Sequence, residues 1–313
     1  MDTVNLFFSC DDNYVPFLAV ALGSLKENRD TARRYAVRVL HTGLEQAYMD
    51  RLTESFEEPG FAVEFIDIRQ QVRAVFRKLH TRDYYSKSTY YRLFIPEMFP
   101  RLDKCLYLDS DLVVRGDISK LYDTDLGNDL VGAAADGFVN AVEELRQYAG
   151  CRLNLSAPER YFNAGILLMN LKAMRAFHFQ QVFLELLDKV TFQVAQDQDY
   201  LNVICRDRVR YVGCEWNAMP NGAPVGQPQI IHYNVDCKPW HRDEVRYEAY
   251  FWDYANRSPF REEILRVRRG YTEADTAKSA EETVNLIAMA TSQALDRAEN
   301  RRIHAEIAKV VGA

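Results

Sequence analysis

Aspartates separated by a single residue occur three times in the sequence, at Asp109/Asp111, Asp123/Asp125 and Asp197/Asp199. Carboxylates so spaced can hold a divalent cation, cap a helix or shape a turn, and the neighbouring residues decide which. Asp123 and Asp125 stand beside Gly127 and Asn128 in a polar stretch, where turn formation accounts for them. Asp109 and Asp111 instead interrupt an apolar run, after Cys105-Leu106-Tyr107-Leu108 and before Leu112-Val113-Val114. A carboxylate at the end of a buried strand must be paired or must coordinate a cation to offset its desolvation. Two hard oxygen ligands on rigid backbone suit Mg²⁺ or Mn²⁺, with substrate phosphates in the remaining positions. The residues alone thus point to a divalent-cation site with a nucleotide as companion, which a metal-dependent nucleotidyltransferase or phosphohydrolase would also use.

Hydrophobic spacing shows which elements must position these groups. Residues 4–9 are strand formers and end in Cys10-Asp11-Asp12-Asn13, after which Tyr14, Phe17, Leu18, Ala21, Leu22 and Leu25 recur at helical spacing. A strand over 35–41, a helix over 45–56 and a strand over 61–66 complete a βαβαβ opening. That alternation predicts an α/β fold with a mostly parallel sheet, helices on both faces and right-handed crossovers. Ligands in such sheets sit at the carboxyl ends of the strands, which draws the turn at residues 11–14 into the site. Further strands are predicted over 105–108 and 130–135 with a short one over 230–232, the apolar run resumes over 112–114, an apolar segment follows over 165–169, helices are predicted over 179–190 and 196–205, and a Pro- and Gly-rich loop over 217–229. Between residues 70 and 91 the pattern dissolves into charged and Tyr-rich sequence, compatible with a flap over the site or a solvated connection, before a helix ending near Pro96. The spacing divides the chain into a main domain over 1–260 and a C-terminal helical extension over 261–313. Within 281–308, Val284, Ile287, Ala288, Thr291, Leu295 and Ala298 fall on one helical face, expected to pack on the body or on another subunit.

Composition narrows the function classes. The 313 residues are 48% apolar and 27% charged, as in a soluble globular protein, and the formal charge of −6 argues against nucleic acid as partner. The apolar stretch 14–25 is broken by Pro16, Gly23 and Ser24 and preceded by Asp11 and Asp12, so it reads as neither a secretory signal nor a membrane span. Six scattered cysteines without a CxxC pair read as reduced thiols of a cytoplasmic protein. Basic and acidic residues balance from Arg261 onward, whereas a membrane-surface helix carries a basic excess.

The segment Tyr107-Leu108-Asp109-Ser110-Asp111-Leu112-Val113-Val114 resembles the hallmark of glycosyltransferase family 8, and further segments between about residues 4 and 240 supply its partners in chain order. Family 8 comprises retaining enzymes of the GT-A fold that use UDP-sugars and Mn²⁺. The resemblance implies a GT-A type, Rossmann-like domain with a mixed, mostly parallel sheet flanked by helices, followed by the helical extension. Asp109 and Asp111 would be metal ligands, with His232 completing the shell. The turn from Ser9 through Asp11, Asn13 and Tyr14 matches the part of the family that binds uracil and ribose. Arg92, after Tyr90-Tyr91, matches the arginine near the donor sugar and the aspartates, and Asn163 in Tyr161-Phe162-Asn163-Ala164-Gly165 an amide that reaches the donor. In Gln196-Asp197-Gln198-Asp199, Asp197 is implied to bind the donor hexose and Gln198 to lie beside the anomeric carbon. Asp136 occupies the place of a carboxylate near the hexose hydroxyls. Lys238, in the Lys238-Pro239-Trp240 that follows His232-Tyr233, would contact the diphosphate. Val235 departs from the pattern, because the family usually has glycine there.

The reaction implied is transfer of glucose or galactose from UDP-glucose or UDP-galactose to a hydroxyl of a glycan or lipid-linked glycan acceptor, with Mn²⁺ or alternatively Mg²⁺ and with retention. The alternative is a non-catalytic UDP-sugar-binding or scaffold protein. Residues 72–88 would cover the site and help select the acceptor. The implied location is cytoplasmic, with peripheral contact at the inner face of the membrane and a homodimer through the C-terminal helix both left open.

Overall fold

Val4, Leu6, Phe7 and Phe8 of β1 (Thr3–Ser9) are 0% exposed, the burial expected of a central parallel strand covered on both faces. The computed structural model describes residues 3–73, 75, 77–79 and 87–312. Most of the stretch 72–88 expected to cover the site lies outside them. β1 pairs in parallel with β2 (Arg34–His41), and β2 with β3 (Phe61–Asp67), the crossovers being made by α1 (Val15–Asn28) and α2 (Gln46–Phe56). On its other side β1 takes β4 (Cys105–Leu108), also in parallel. The chain then leaves the sheet for β5 (Leu112–Val114) and returns through β6 (Val131–Ala133), β7 (Ile166–Met169) and β8 (Val209–Tyr211). β7 runs antiparallel to both β4 and β6, while β6 and β8 are parallel, giving one seven-stranded sheet in the order β3-β2-β1-β4-β7-β6-β8. β9 (Ile230–His232) pairs antiparallel with β5 in a separate ribbon. This is the mixed, mostly parallel sheet of the GT-A fold.

Element ends shift from the sequence reading for local reasons. The strand expected to reach residue 135 stops at Ala133, because Ala135 bridges Phe162 and Asp136 caps the next short helix. Pro96 does not end a helix: a 3₁₀ segment (Lys87–Phe94) runs into a one-turn helix (Ile95–Met98), and the proline sits in its first turn, where no N–H is needed.

Beyond the sheet lie α3 (Glu143–Cys151), α4 (Phe179–Lys189), α5 (Asp197–Ile204), α6 (Glu248–Arg257) and α7 (Arg261–Gly270). The C-terminal run is two helices, α8 (Glu273–Leu295) and α9 (Arg297–Val311), parted at Asp296, whose carboxylate caps α9 by accepting from the Glu299 N–H at 3.1 Å. The buried face of α8 is Leu286, Ala290 and Ala294, one every fourth residue, packed along α3. The face expected to be apolar points outward, with Val284 64% and Leu295 72% exposed. Small residues at 290 and 294 let the helix backbones approach, and that outweighs the larger side chains on the other stripe. Leu286, Ala290, Ile303 and Ile307 join the main core cluster. Among the described residues no helix is long and apolar enough to cross a membrane.

Candidate active site and metal centre

Asp109 and Asp111 lie between the end of β4 and the start of β5. The Asp109 N–H donates to the Gly165 carbonyl at 2.7 Å and the Tyr233 N–H to the Asp111 carbonyl at 2.9 Å. The β5–β9 register sets Leu112 opposite His232, so the ribbon delivers the imidazole to the two carboxylates. Ligand atoms of Asp109, Asp111 and His232 all lie within 4.8 Å of one another. His232 Nε2 is 3.2 Å from Asp111 Oδ1 and 3.7 Å from Asp109 Oδ2. His232 Nδ1 lies 3.1 Å from the Asn217 carboxamide oxygen, an acceptor, which puts the proton on Nδ1 and leaves the Nε2 lone pair facing the carboxylates.

These groups fit a divalent cation by their own chemistry. Asp111 Oδ1 is buried and has no hydrogen-bond partner. A Cβ on Gly165 would fall 2.3 Å from His232 Cε1 and 2.6 Å from Asp109 Oδ2, so only glycine leaves the cradle open. The other Asp-x-Asp pairs are spoken for. Asp123 pairs with Arg33 at 2.6 Å, Asp125 accepts from the Gly127 N–H at 2.9 Å, and Asp197 and Asp199 start α5.

Two buried cations balance the carboxylates. Lys238 Nζ donates to Asp111 Oδ2 and to the Tyr233 carbonyl. Burial acts to raise the Asp111 pKa, yet the Lys238 ammonium holds it below the usual carboxylate range. Burial likewise opposes the charge on Lys238, and Asp111 keeps its pKa above the ordinary lysine value. The segment carrying Lys238 is pinned by Trp240, stacked on Phe17 of α1 at 3.9 Å. Arg92, 2% exposed, lies 3.2 Å from Asp109 Oδ1 and 3.1 Å from Asp197 Oδ2, donates to the Thr89 and Ala164 carbonyls, and rests on the Tyr107 ring. Burial pushes the Asp197 carboxyl up, with Arg92 opposing.

A carboxamide network runs on from the metal centre. Asn217 Nδ2 donates to Asn163 Oδ1 at 2.9 Å, and Asn163 Nδ2 donates to Asp136 Oδ2 at 2.9 Å and to Gln198 Oε1 at 3.2 Å. Gln198 Oε1 also accepts from the Ala164 N–H at 2.8 Å, and Gln198 Nε2 donates to Asp136 Oδ2 at 3.1 Å. The other Asp136 oxygen accepts from the N–H groups of Phe138 and Val139. The Gln198 amide is thereby fixed in orientation on both sides.

One cavity joins these groups: Ser9, Tyr14, Arg92, Asp109, Asp111, Asp136, Asn163, Asp197, Gln198, His232, Val235 and Lys238 all line it. Asp11 and Asn13 are not among its lining residues. Asp11 caps the turn by accepting from the Asn13 N–H at 3.1 Å, and the Asn13 side chain is exposed. Val235 has φ +50°, a left-handed conformation natural to glycine and costly for a β-branched residue. Two contributors escape the sequence reading. Tyr107 donates to Asp109 Oδ1 at 3.0 Å, and alternation along β4 could have found it. Asn217 has no local signal, since it meets His232 only because the neighbouring Ala218 bridges Ile231 of β9.

Comparison with known proteins bears on the family and the fold. A putative glycosyltransferase of Haemophilus influenzae is 28% identical over 251 residues, covering 77% of this chain and 74% of its own. A lipopolysaccharide 1,3-galactosyltransferase of Salmonella typhimurium is 25% identical over 260 residues, covering 77% and 74%. Among solved structures, the galactosyltransferase LgtC in complex with donor and acceptor sugar analogs superposes with a TM-score of 0.69 at 28% identity, over 82% of this chain and 96% of that one. The bifunctional glycosyltransferase WbbM gives 0.71 at 29%, over 85% of this chain and 51% of that one. The sequence profile of Glycosyl transferase family 8 matches residues 5–244, and the chain belongs to that family.

Proposed function

We propose that this glycosyltransferase moves glucose or galactose from UDP-glucose or UDP-galactose to a hydroxyl of a glycan or lipid-linked glycan, with retention at the anomeric carbon. The observation that carries the reading is the shared cavity, in which Asp109, Asp111 and His232 stand next to the Asp136–Asn163–Gln198 network. Relatives named as lipopolysaccharide glucosyl- and galactosyltransferases support a cell-envelope glycan as acceptor. The location that goes with this role is the cytoplasm or the inner membrane face.

Two carboxylates and one imidazole suit Mn²⁺ better than Mg²⁺, and a cation held there supplies Lewis-acid stabilisation to a departing diphosphate. Lys238, already beside Asp111, adds a second positive charge for the diphosphate. Tyr14 and Ser9 offer the cavity edge to the nucleoside, and Arg92 holds Asp109 and Asp197 in place. Asp136 and Asp197 present acceptors to hexose hydroxyls. Gln198 bears a neutral amide with both ends engaged, which makes it a poor nucleophile. Same-face attack follows: the acceptor oxygen bonds the anomeric carbon as the bond to the UDP oxygen breaks, and that UDP oxygen takes the acceptor's proton.

Val235 supports a second reading, a UDP-sugar-binding protein without turnover, since its side chain lines the cavity where the family's glycine leaves space. UDP release from UDP-glucose and UDP-galactose, with and without Mn²⁺, separates the two. Metal-dependent release from one donor, lost in Asp109→Ala/Asp111→Ala, supports the transferase. Metal-dependent UDP binding with no release from either supports the binding protein.

A further inference from the structure

The cavity changes character along its length. Its metal end is lined by carboxylates, imidazole and cations, but next to Asp136 and Gln198 the wall is Phe138, Val139, Leu145, Val194 and Leu286. Phe138 and Val139 follow Asp136 directly, and Val194 lies just before α5. Leu145 belongs to α3, and Leu286 comes from α8, which packs along α3. Of the five, Leu286 alone lies beyond the family-matched residues 5–244, so the C-terminal helix adds one side chain to a wall otherwise built within them.

The diphosphate and the hexose hydroxyls need polar partners, and an apolar wall offers them none. Five apolar side chains gathered beside Asp136 fit a different occupant. We propose that Leu286, with Phe138, Val139, Leu145 and Val194, forms an apolar acceptor subsite that takes a glycan carrying an apolar aglycone close to the reacting hydroxyl. The proposal rests on the transferase reading above and deepens it. The C-terminal helix is on this account part of the acceptor site, and Leu286 a specificity-determining residue.

The test is titration calorimetry on the full chain, in Mn²⁺ and UDP, with methyl and octyl β-D-glucosides and β-D-galactosides. Burial of an alkyl chain is expected to make the octyl compounds at least about tenfold tighter than the methyl ones. Leu286→Phe, which fills the subsite, should reduce that ratio by about tenfold or more, while Leu286→Met, close in volume, should keep it. A wild-type ratio near one overturns the proposal without any variant. So does an unchanged ratio in a Leu286→Phe protein that melts like the wild type. UDP release with no alkyl preference counts against the subsite alone, and alkyl preference without UDP release against the transferase reading alone.

Discussion

The imidazole of His232 is oriented by Asn217, whose carboxamide oxygen lies 3.1 Å from Nδ1, and the same carboxamide donates 2.9 Å onward to Asn163. One side chain thus couples the candidate metal centre to the groups around Gln198. Such partners of a metal-binding histidine set its tautomer and ring angle, and their loss weakens metal affinity by about 10–100-fold. Asn217→Ala is expected to weaken Mn²⁺ binding in that range, measured by the electron paramagnetic resonance signal of free Mn²⁺. An unchanged affinity would show that the ring is held by packing alone.

Gly165 is the second structural requirement of the centre. Alanine there would drive a methyl group against His232 and Asp109 at 2.3 and 2.6 Å, and neither can yield without leaving its place. A cation at 100 times its dissociation constant stabilises a folded protein by about 2.7 kcal/mol. Gly165→Ala should lose most of the rise in melting temperature that Mn²⁺ gives the wild type, and a full Mn²⁺ response would contradict the cradle geometry.

Much of this was legible in the chain. The parallel half of the sheet announces itself in apolar runs such as Leu6-Phe7-Phe8, and the centre in two carboxylates that break a buried strand between Leu108 and Leu112. Other features depend on long-range packing. β8 is a three-residue, partly exposed edge strand with too little pattern to notice. The buried face of α8 was decided by how closely small residues let it approach α3, which local hydrophobicity does not report. Asn217 reaches His232 through a bridge between segments distant from either β4 or α5, so its role has no local spacing to betray it.

Val235 should stabilise the protein when replaced by glycine. A non-glycine residue held at φ +50° costs about 1–3 kcal/mol, and glycine returns roughly 0.4–1 kcal/mol of that through the entropy of its unfolded chain. A net gain of about 1 kcal/mol, or about 2 °C in melting temperature, is expected for Val235→Gly. A lower melting temperature would mean that packing of the isopropyl group outweighs the strain.

Asp199 sets a pH dependence whose sign is fixed by its surroundings. It is 0% exposed, and burial pushes its pKa from 3.8 up to about 6, partly offset by hydrogen bonds from the Ala195 N–H and the hydroxyls of Tyr161 and Tyr148. The folded state therefore binds a proton between pH 4 and 6 that the unfolded state has released, so this group's contribution to stability is present below pH 4 and lost as pH rises through about 6. Asp199→Asn removes the titration and, by replacing with an NH2 one of the two oxygens that accept from the Ala195 N–H and the Tyr148 and Tyr161 hydroxyls, costs about 1–3 kcal/mol. Denaturant melts of both proteins at pH 4 and 7.5 check this. The variant's deficit should be larger at pH 4 and should narrow by on the order of 2–3 kcal/mol at pH 7.5. A deficit that is constant with pH, or that widens as pH rises, would mean that Asp199 is ionised throughout and that its three donors outweigh its burial.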